Sequence, residues 1–263
     1  MAASAELAAC LLGAALLAGG LSGCVSTQQK NARAKLAATR LLEGRRTQRV
    51  GAPNRLVAVD SVAVVRGARR TAVVVTLRSR AAEPLTDLPV AVGVRTASGR
   101  RVVLNARRGL GWFETHVAAL DGGGRATWVF TTRRPVPSGR PFAVVGAAGG
   151  GPAVASSARS LPAVRATAAG EAASVGAAVA AAGGRAGAAR PARARVAVVN
   201  DSDVPQRDVQ VYAWARRDGR WVAAGRAAVR ELAPGARATV ALPLVGAARP
   251  GELRAAALPT IFE

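Results

Sequence analysis

The chain has 263 residues, 37 of them Lys or Arg against 15 Asp or Glu, for a formal charge of +22. Half of the residues are apolar but only 3% are aromatic, so thin layers of Val, Ala and Leu are expected in place of one large core. Cysteine occurs twice and histidine once, which excludes a disulfide framework and Cys or His metal clusters.

The first element is an apolar run from Leu7 to Leu21 that closes on Leu21, Ser22, Gly23 and Cys24. Small residues ahead of a cysteine leave its backbone accessible to a peptidase, and the thiol is where a diacylglycerol is attached. The stretch resembles the lipobox of bacterial lipoprotein signal peptides over the first 24 residues. The resemblance implies a mature chain that begins at Cys24 and is held by acyl chains, palmitate among them, on the extracytoplasmic face of the cell membrane. The run is shorter than the roughly 20 residues of a comfortable helical span and suits the core of a signal peptide.

The flanking charges point the other way. No Lys or Arg precedes the run and Glu6 stands directly before it, whereas Lys30, Arg33, Lys35, Arg40, Arg45, Arg46 and Arg49 follow it. The positive-inside tendency would retain that later flank in the cytoplasm. The alternative is therefore a single-pass protein with an uncleaved N-terminal helix. Residues 25–54 are expected to form a basic helical spacer, with Leu36, Leu41, Leu42 and Val50 apolar among Arg, Lys and Gln; such a helix can lie on anionic headgroups.

From Arg55 the apolar period changes to two. Short β-branched runs at 56–59, 62–65, 73–77, 90–94, 102–104, 127–131 and 142–145, with turn residues between them, predict a β-sandwich over 55–146. Residues 147–190 are dominated by Ala, Gly and Ser and read as a linker, with a short strand at 161–165 and a helical patch at 172–182. The strand pattern returns over 191–263, with runs at 195–199, 209–215, 221–229, 238–244 and 253–258; Asp218-Gly219 is a hairpin signal between the second and third.

The two β segments repeat each other. Leu120-Asp-Gly-Gly-Gly-Arg125-Ala-Thr127 parallels Leu232-Ala-Pro-Gly-Ala-Arg237-Ala-Thr239, and Asp87-Leu-Pro-Val90 with Ser98-Gly99 parallels Asp208-Val-Gln-Val211 with Asp218-Gly219. This order predicts a duplicated unit. The fold class expected is mainly β: two tandem Ig-like β-sandwich domains behind an N-terminal signal or anchor helix and the basic spacer. Asn200-Asp201-Ser202, Tyr212 and the Leu232-Ala-Pro-Gly235 turn resemble the small Ig-like extracytoplasmic domains of bacterial lipoproteins, the FxLYD type among them. The aromatic-Leu-Tyr-Asp core of that type is not present literally; Val211-Tyr212-Ala213-Trp214 stands near its place. The resemblance spans about 60 residues and implies a fold and a location, with no chemistry attached.

No catalytic or metal-binding set stands out. His116 is expected to be a loop or strand residue, and the acidic residues are dispersed. Asn200-Asp201-Ser202-Asp203 lacks the later bidentate Glu of a calcium loop and reads as an Asx-rich corner. The triple glycines at 122–124 and 149–151 lack the Lys-Ser/Thr of a phosphate loop. Tyr212, Trp214 and Trp221 are packing anchors or, alternatively, a ligand platform. The positive charge is nearly all Arg and scattered, with no nucleic-acid motif beside it. The expected function is a non-enzymatic binding, scaffold or accessory module without cofactor, tethered through Cys24. Anionic headgroups, wall polymers or an unidentified protein are its expected partners, and nucleic-acid binding is the remaining alternative.

Overall fold

A computed structural model describes residues 50–147, 160–173, 192–249 and 251–260. The lipobox, most of the basic spacer and the Gly149–Gly151 run lie outside the described residues. The described chain is mainly β. Its only helical element is a 3₁₀ turn at Trp112–Glu114, and the described residues all belong to one compact unit.

The first half contributes β1 (Val57–Arg66), β2 (Thr71–Ser79), β3 (Leu85–Arg95), β4 (Arg101–Val103), β5 (His116–Leu120), β6 (Arg125–Thr132) and β7 (Arg140–Val145). The runs at 56–59 and 62–65 are one strand: β1 pairs along β2 with a single register shift between Val59 and Ser61. The shift frees Asp60 to reach Arg78 Nε and Arg125 Nε, each at 3.2 Å, which relieves two arginines placed opposite each other on β2 and β6. β1, β2 and β6 form one sheet, while β3 pairs with β4, β5 and β7 in another.

The second half contributes β8 (Val164–Ala173), β9 (Arg193–Asn200), β10 (Gln206–Arg217), β11 (Arg220–Leu232), β12 (Arg237–Gly246) and β13 (Leu253–Leu258). They form one sheet in the order β13-β10-β11-β12-β9-β8. Two expectations need correction here. The segment read as linker contains β8, which pairs antiparallel with β9 and includes Ala172 and Ala173 of the expected helical patch. Its small residues form a strand because β9 supplies the ladder partner that composition alone does not reveal. At the other end, Pro53 of the expected helical spacer bridges Gly146, and Asn54 N–H donates to Val145 O at 2.8 Å.

The halves share register as well as sequence. Arg78 faces Arg125 across β2–β6, as Val199 faces Arg237 across β9–β12. Asp87 and Asp208 interrupt the pairing of β3 and β10 at matching points, both in left-handed backbone with φ of 54° and 51°. The turn glycines match too: Gly99 with Gly219, and Gly123 with Gly235, all at positive φ, where a Cβ is costly. Where β11 runs unbroken, the first half detours between β4 and β5.

Two apolar clusters follow from the alternation of β10. Val209, Val211, Ala213 and Ala215 face Val196, Val198 and Leu242, forming a cluster built only of Ala, Val and Leu. Tyr212 and Trp214 point from the opposite face and join Val73, Val75, Leu77, Trp128 and Phe130 of the first half. The core beneath β1, β2 and β6 is therefore shared across the residues 147–190 that separate the halves.

Candidate functional site

The detour of residues 104–115 is the main departure of one repeat from the other, and it carries the buried polar residues Asn105 and Thr115 beside His116. Asn105, fully buried, fills the gap it leaves along β3. Its Oδ1 accepts from Val92 N–H at 2.9 Å, and its Nδ2 donates to Val90 O at 2.7 Å and Glu114 O at 3.1 Å. One side-chain amide thus replaces a stretch of missing strand.

Beyond Asn105, the 3₁₀ turn places Trp112 and Phe113 edge to face at 4.8 Å, and the His116 ring stacks on Trp112 at 4.7 Å. His116 Nδ1 lies 2.9 Å from the Thr115 hydroxyl and 3.3 Å from Trp112 O; its Nε2 lies 3.9 Å from Asp87 Oδ1. Burial outweighs the backbone contact and lowers the imidazole pKa to about 4, so at neutral pH the ring is an uncharged packing piece. Phe113 O accepts from Trp128 Nε1 at 3.3 Å and from Arg226 Nη1 at 3.4 Å. Since Trp128 is on β6 and Arg226 on β11, the detour ties the halves together.

The proposed aromatic platform is not assembled as an exposed surface. Tyr212 is fully buried, and Trp214 and Trp221 are half-buried against the shared core, with the Arg216 guanidinium 5.1 Å from the Trp221 ring. Tyr212 and Trp214, two residues apart on β10, share one face, and what covers that face is the first half, which sequence spacing does not report. The Tyr212 hydroxyl has no hydrogen-bond partner, and burial pushes its pKa upward.

The Asn200 corner spends its polar atoms on the chain itself. Oδ1 accepts from Ser202 N–H and Oγ at 3.2 and 2.7 Å, Nδ2 donates to Val204 O and Leu232 O, and Asp201 pairs with Arg165 at 2.8 Å. The Gly122–Gly124 run is a turn between β5 and β6, closed by Gly124 N–H donating to Asp121 O.

Two surface clefts among the described residues have charged linings. One is lined by Arg207, Asp208, Arg230 and Glu231, with Arg207 paired to Glu231 at 3.3 Å, so its charges balance. The other is lined by Arg70, Arg107, Arg133 and Arg134 with Thr131, Thr132 and Glu114. Four guanidinium groups face one carboxylate there, and that carboxylate already accepts from Gly111 N–H at 2.8 Å and faces Arg226. No spacing signal could have found this cleft, because its residues come from the β1–β2 turn, the detour and the end of β6.

No protein-family model matches the chain, and no curated protein sequence does. Among solved structures, the C-terminal globular domain of an oligosaccharyltransferase from Pyrococcus abyssi aligns over 81% of this chain and 45% of its own, at 9% identity and a TM-score of 0.23. A fucolectin from the serum of striped bass, Morone saxatilis, aligns over 77% of this chain and 86% of its own, at 13% identity and a TM-score of 0.15.

Proposed function

We propose that the chain is a lipid-anchored, extracytoplasmic binding or scaffold module without catalytic activity, its body a pair of Ig-like sandwiches. The observation that carries this reading is Leu21-Ser22-Gly23-Cys24 at the end of the N-terminal apolar run. An acyl chain contributes about 0.8 kcal/mol per buried methylene, and two or more chains give lasting attachment. The arginine-rich body supports it by adding attraction to anionic surfaces that weakens as salt rises. The matched registers of the two halves and the structural use made of His116 and the Asn200 corner are what a scaffold built by duplication requires.

The test is Cys24→Ala in the native host. Labelling with palmitate and membrane retention should both be lost, and mass spectrometry of the wild-type chain should find an acylated N-terminus at Cys24. Retention without labelling in the variant would favour the single-pass reading, which the basic residues after the apolar run support.

A further inference from the structure

We infer that the cleft formed by Arg70, Arg107, Arg133 and Arg134 binds a phosphate group, carried by an anionic lipid headgroup or by a phosphate-bearing polymer. The inference deepens the binding reading above by assigning its ligand chemistry, and it is independent of how the chain is attached to the membrane.

Three observations carry it. The first is convergence: Arg70 ends the β1–β2 turn, where Gly67 N–H donates to Arg70 O, while Arg133 and Arg134 leave β6 beside it, with Arg134 N–H donating to Thr132 Oγ1 at 3.0 Å. The detour then brings Arg107 to the same cleft. The second is charge. Among the described residues, none of these four arginines has a carboxylate within ion-pair distance, whereas Arg78, Arg125, Arg165, Arg207, Arg217 and Arg226 each have one. Four like charges around one carboxylate, Glu114, that is engaged by Gly111 N–H and Arg226 repel one another, and an anion lowers that penalty. The third is an unused donor: Arg107 is half-buried, and its Nε is shielded from solvent without a hydrogen-bond partner. Such a donor costs stability until an acceptor reaches it.

The chemistry favours phosphate over a carboxylate. A phosphate presents several acceptor oxygens in a tetrahedron, so guanidinium groups from three segments can each take one, whereas a carboxylate offers two in a plane. The second repeat gives an internal contrast. There β11 is continuous, no detour delivers a counterpart of Arg107, and the cleft it has pairs Arg207 with Glu231.

The experiment is calorimetric titration of the full chain in neutral detergent with inorganic phosphate, and with acetate at equal ionic strength. Saturable phosphate binding is expected. It should weaken about tenfold or more in R107Q/R133Q, given the strength of charge-assisted contacts, and stay within about twofold in R100Q/R220Q, which removes the same charge from exposed hairpin positions. Equal weakening in both doubles, acetate binding as tightly as phosphate, or absence of saturable binding would each overturn the site. So would duplex DNA binding that depends on the same arginines with a steep salt slope. Vesicles of phosphatidylglycerol separate the two sources: reduced binding by R107Q/R133Q assigns a headgroup, and unchanged vesicle binding alongside lost phosphate binding assigns a polymer. Repeating the titration on Cys24→Ala keeps the two readings apart, because phosphate binding should survive there even if the anchor is lost or was never present.

Discussion

At the scale of single residues, the buried polar groups make the sharpest claims. His116 stays neutral in the fold because burial holds its pKa near 4, whereas an unfolded chain takes up a proton near 6.5. Between these values only the unfolded state is protonated, so stability should fall as pH drops from 6.5 to 4 and level off below, by about 3 kcal/mol at most. Urea midpoints at pH 7 and 4.5 would measure this, and H116N should flatten the dependence across that window. Glu252 adds a second loss below about 4.5: its hydrogen bonds to Arg217 and Arg249 N–H hold its folded pKa down to about 2, so between these values only the unfolded state takes up that proton. Asn105 predicts a different outcome. N105A leaves Val92 N–H, Val90 O and Glu114 O without the partner they have now, at a cost of about 3–5 kcal/mol. Y212F goes the other way: it removes a buried hydroxyl that has no hydrogen-bond partner and should stabilise the fold by about 1 kcal/mol in the same urea assay.

At the scale of elements, the turns were legible in the sequence and the ladders were only partly so. Gly123 and Gly235 close matching turns with φ of 63° and 67°, and the repeated Leu-x-x-Gly spacing pointed to both. Replacing either by Ala should cost about 1–2 kcal/mol, and the double variant should cost the sum within about 0.5 kcal/mol; thermal unfolding of the three variants measures it. Strand faces were legible where alternation is strong, as in Val90, Val92 and Val94, all fully buried on β3. β8 was mostly hidden because Ala predominates in it, and the strand preference of Ala is too weak to register without the partner β9. β5 escaped notice for a related reason: His116-Val-Ala-Ala-Leu120 is buried at every position, so no alternation marks it. The arginine cleft has no local signature at all, since it exists only once a turn, a detour and a strand end meet.

At the scale of the whole molecule, the distribution of aromatic residues decides how the halves relate. The second-half cluster contains no aromatic ring, because Tyr212, Trp214 and Trp221 sit on the sheet face turned toward Trp128 and Phe130. A chain so poor in aromatics has placed its largest side chains where two thin layers meet, and there the most apolar area is buried per residue. This sheet is covered on both faces at β10 and β11, which is why its sequence looks richer than a half-exposed strand requires. Gly246 marks the same contact: a Cβ there would meet Val222 O in its own half and Val65 in the other. A core shared in this way should couple the unfolding of the halves. Y212A leaves a large cavity between them and should cost about 3–5 kcal/mol. In both wild type and variant, the amides of β2 around Val74 and those of β9 from Val196 to Val198 should lose hydrogen-exchange protection at one denaturant concentration, shifted together by the substitution.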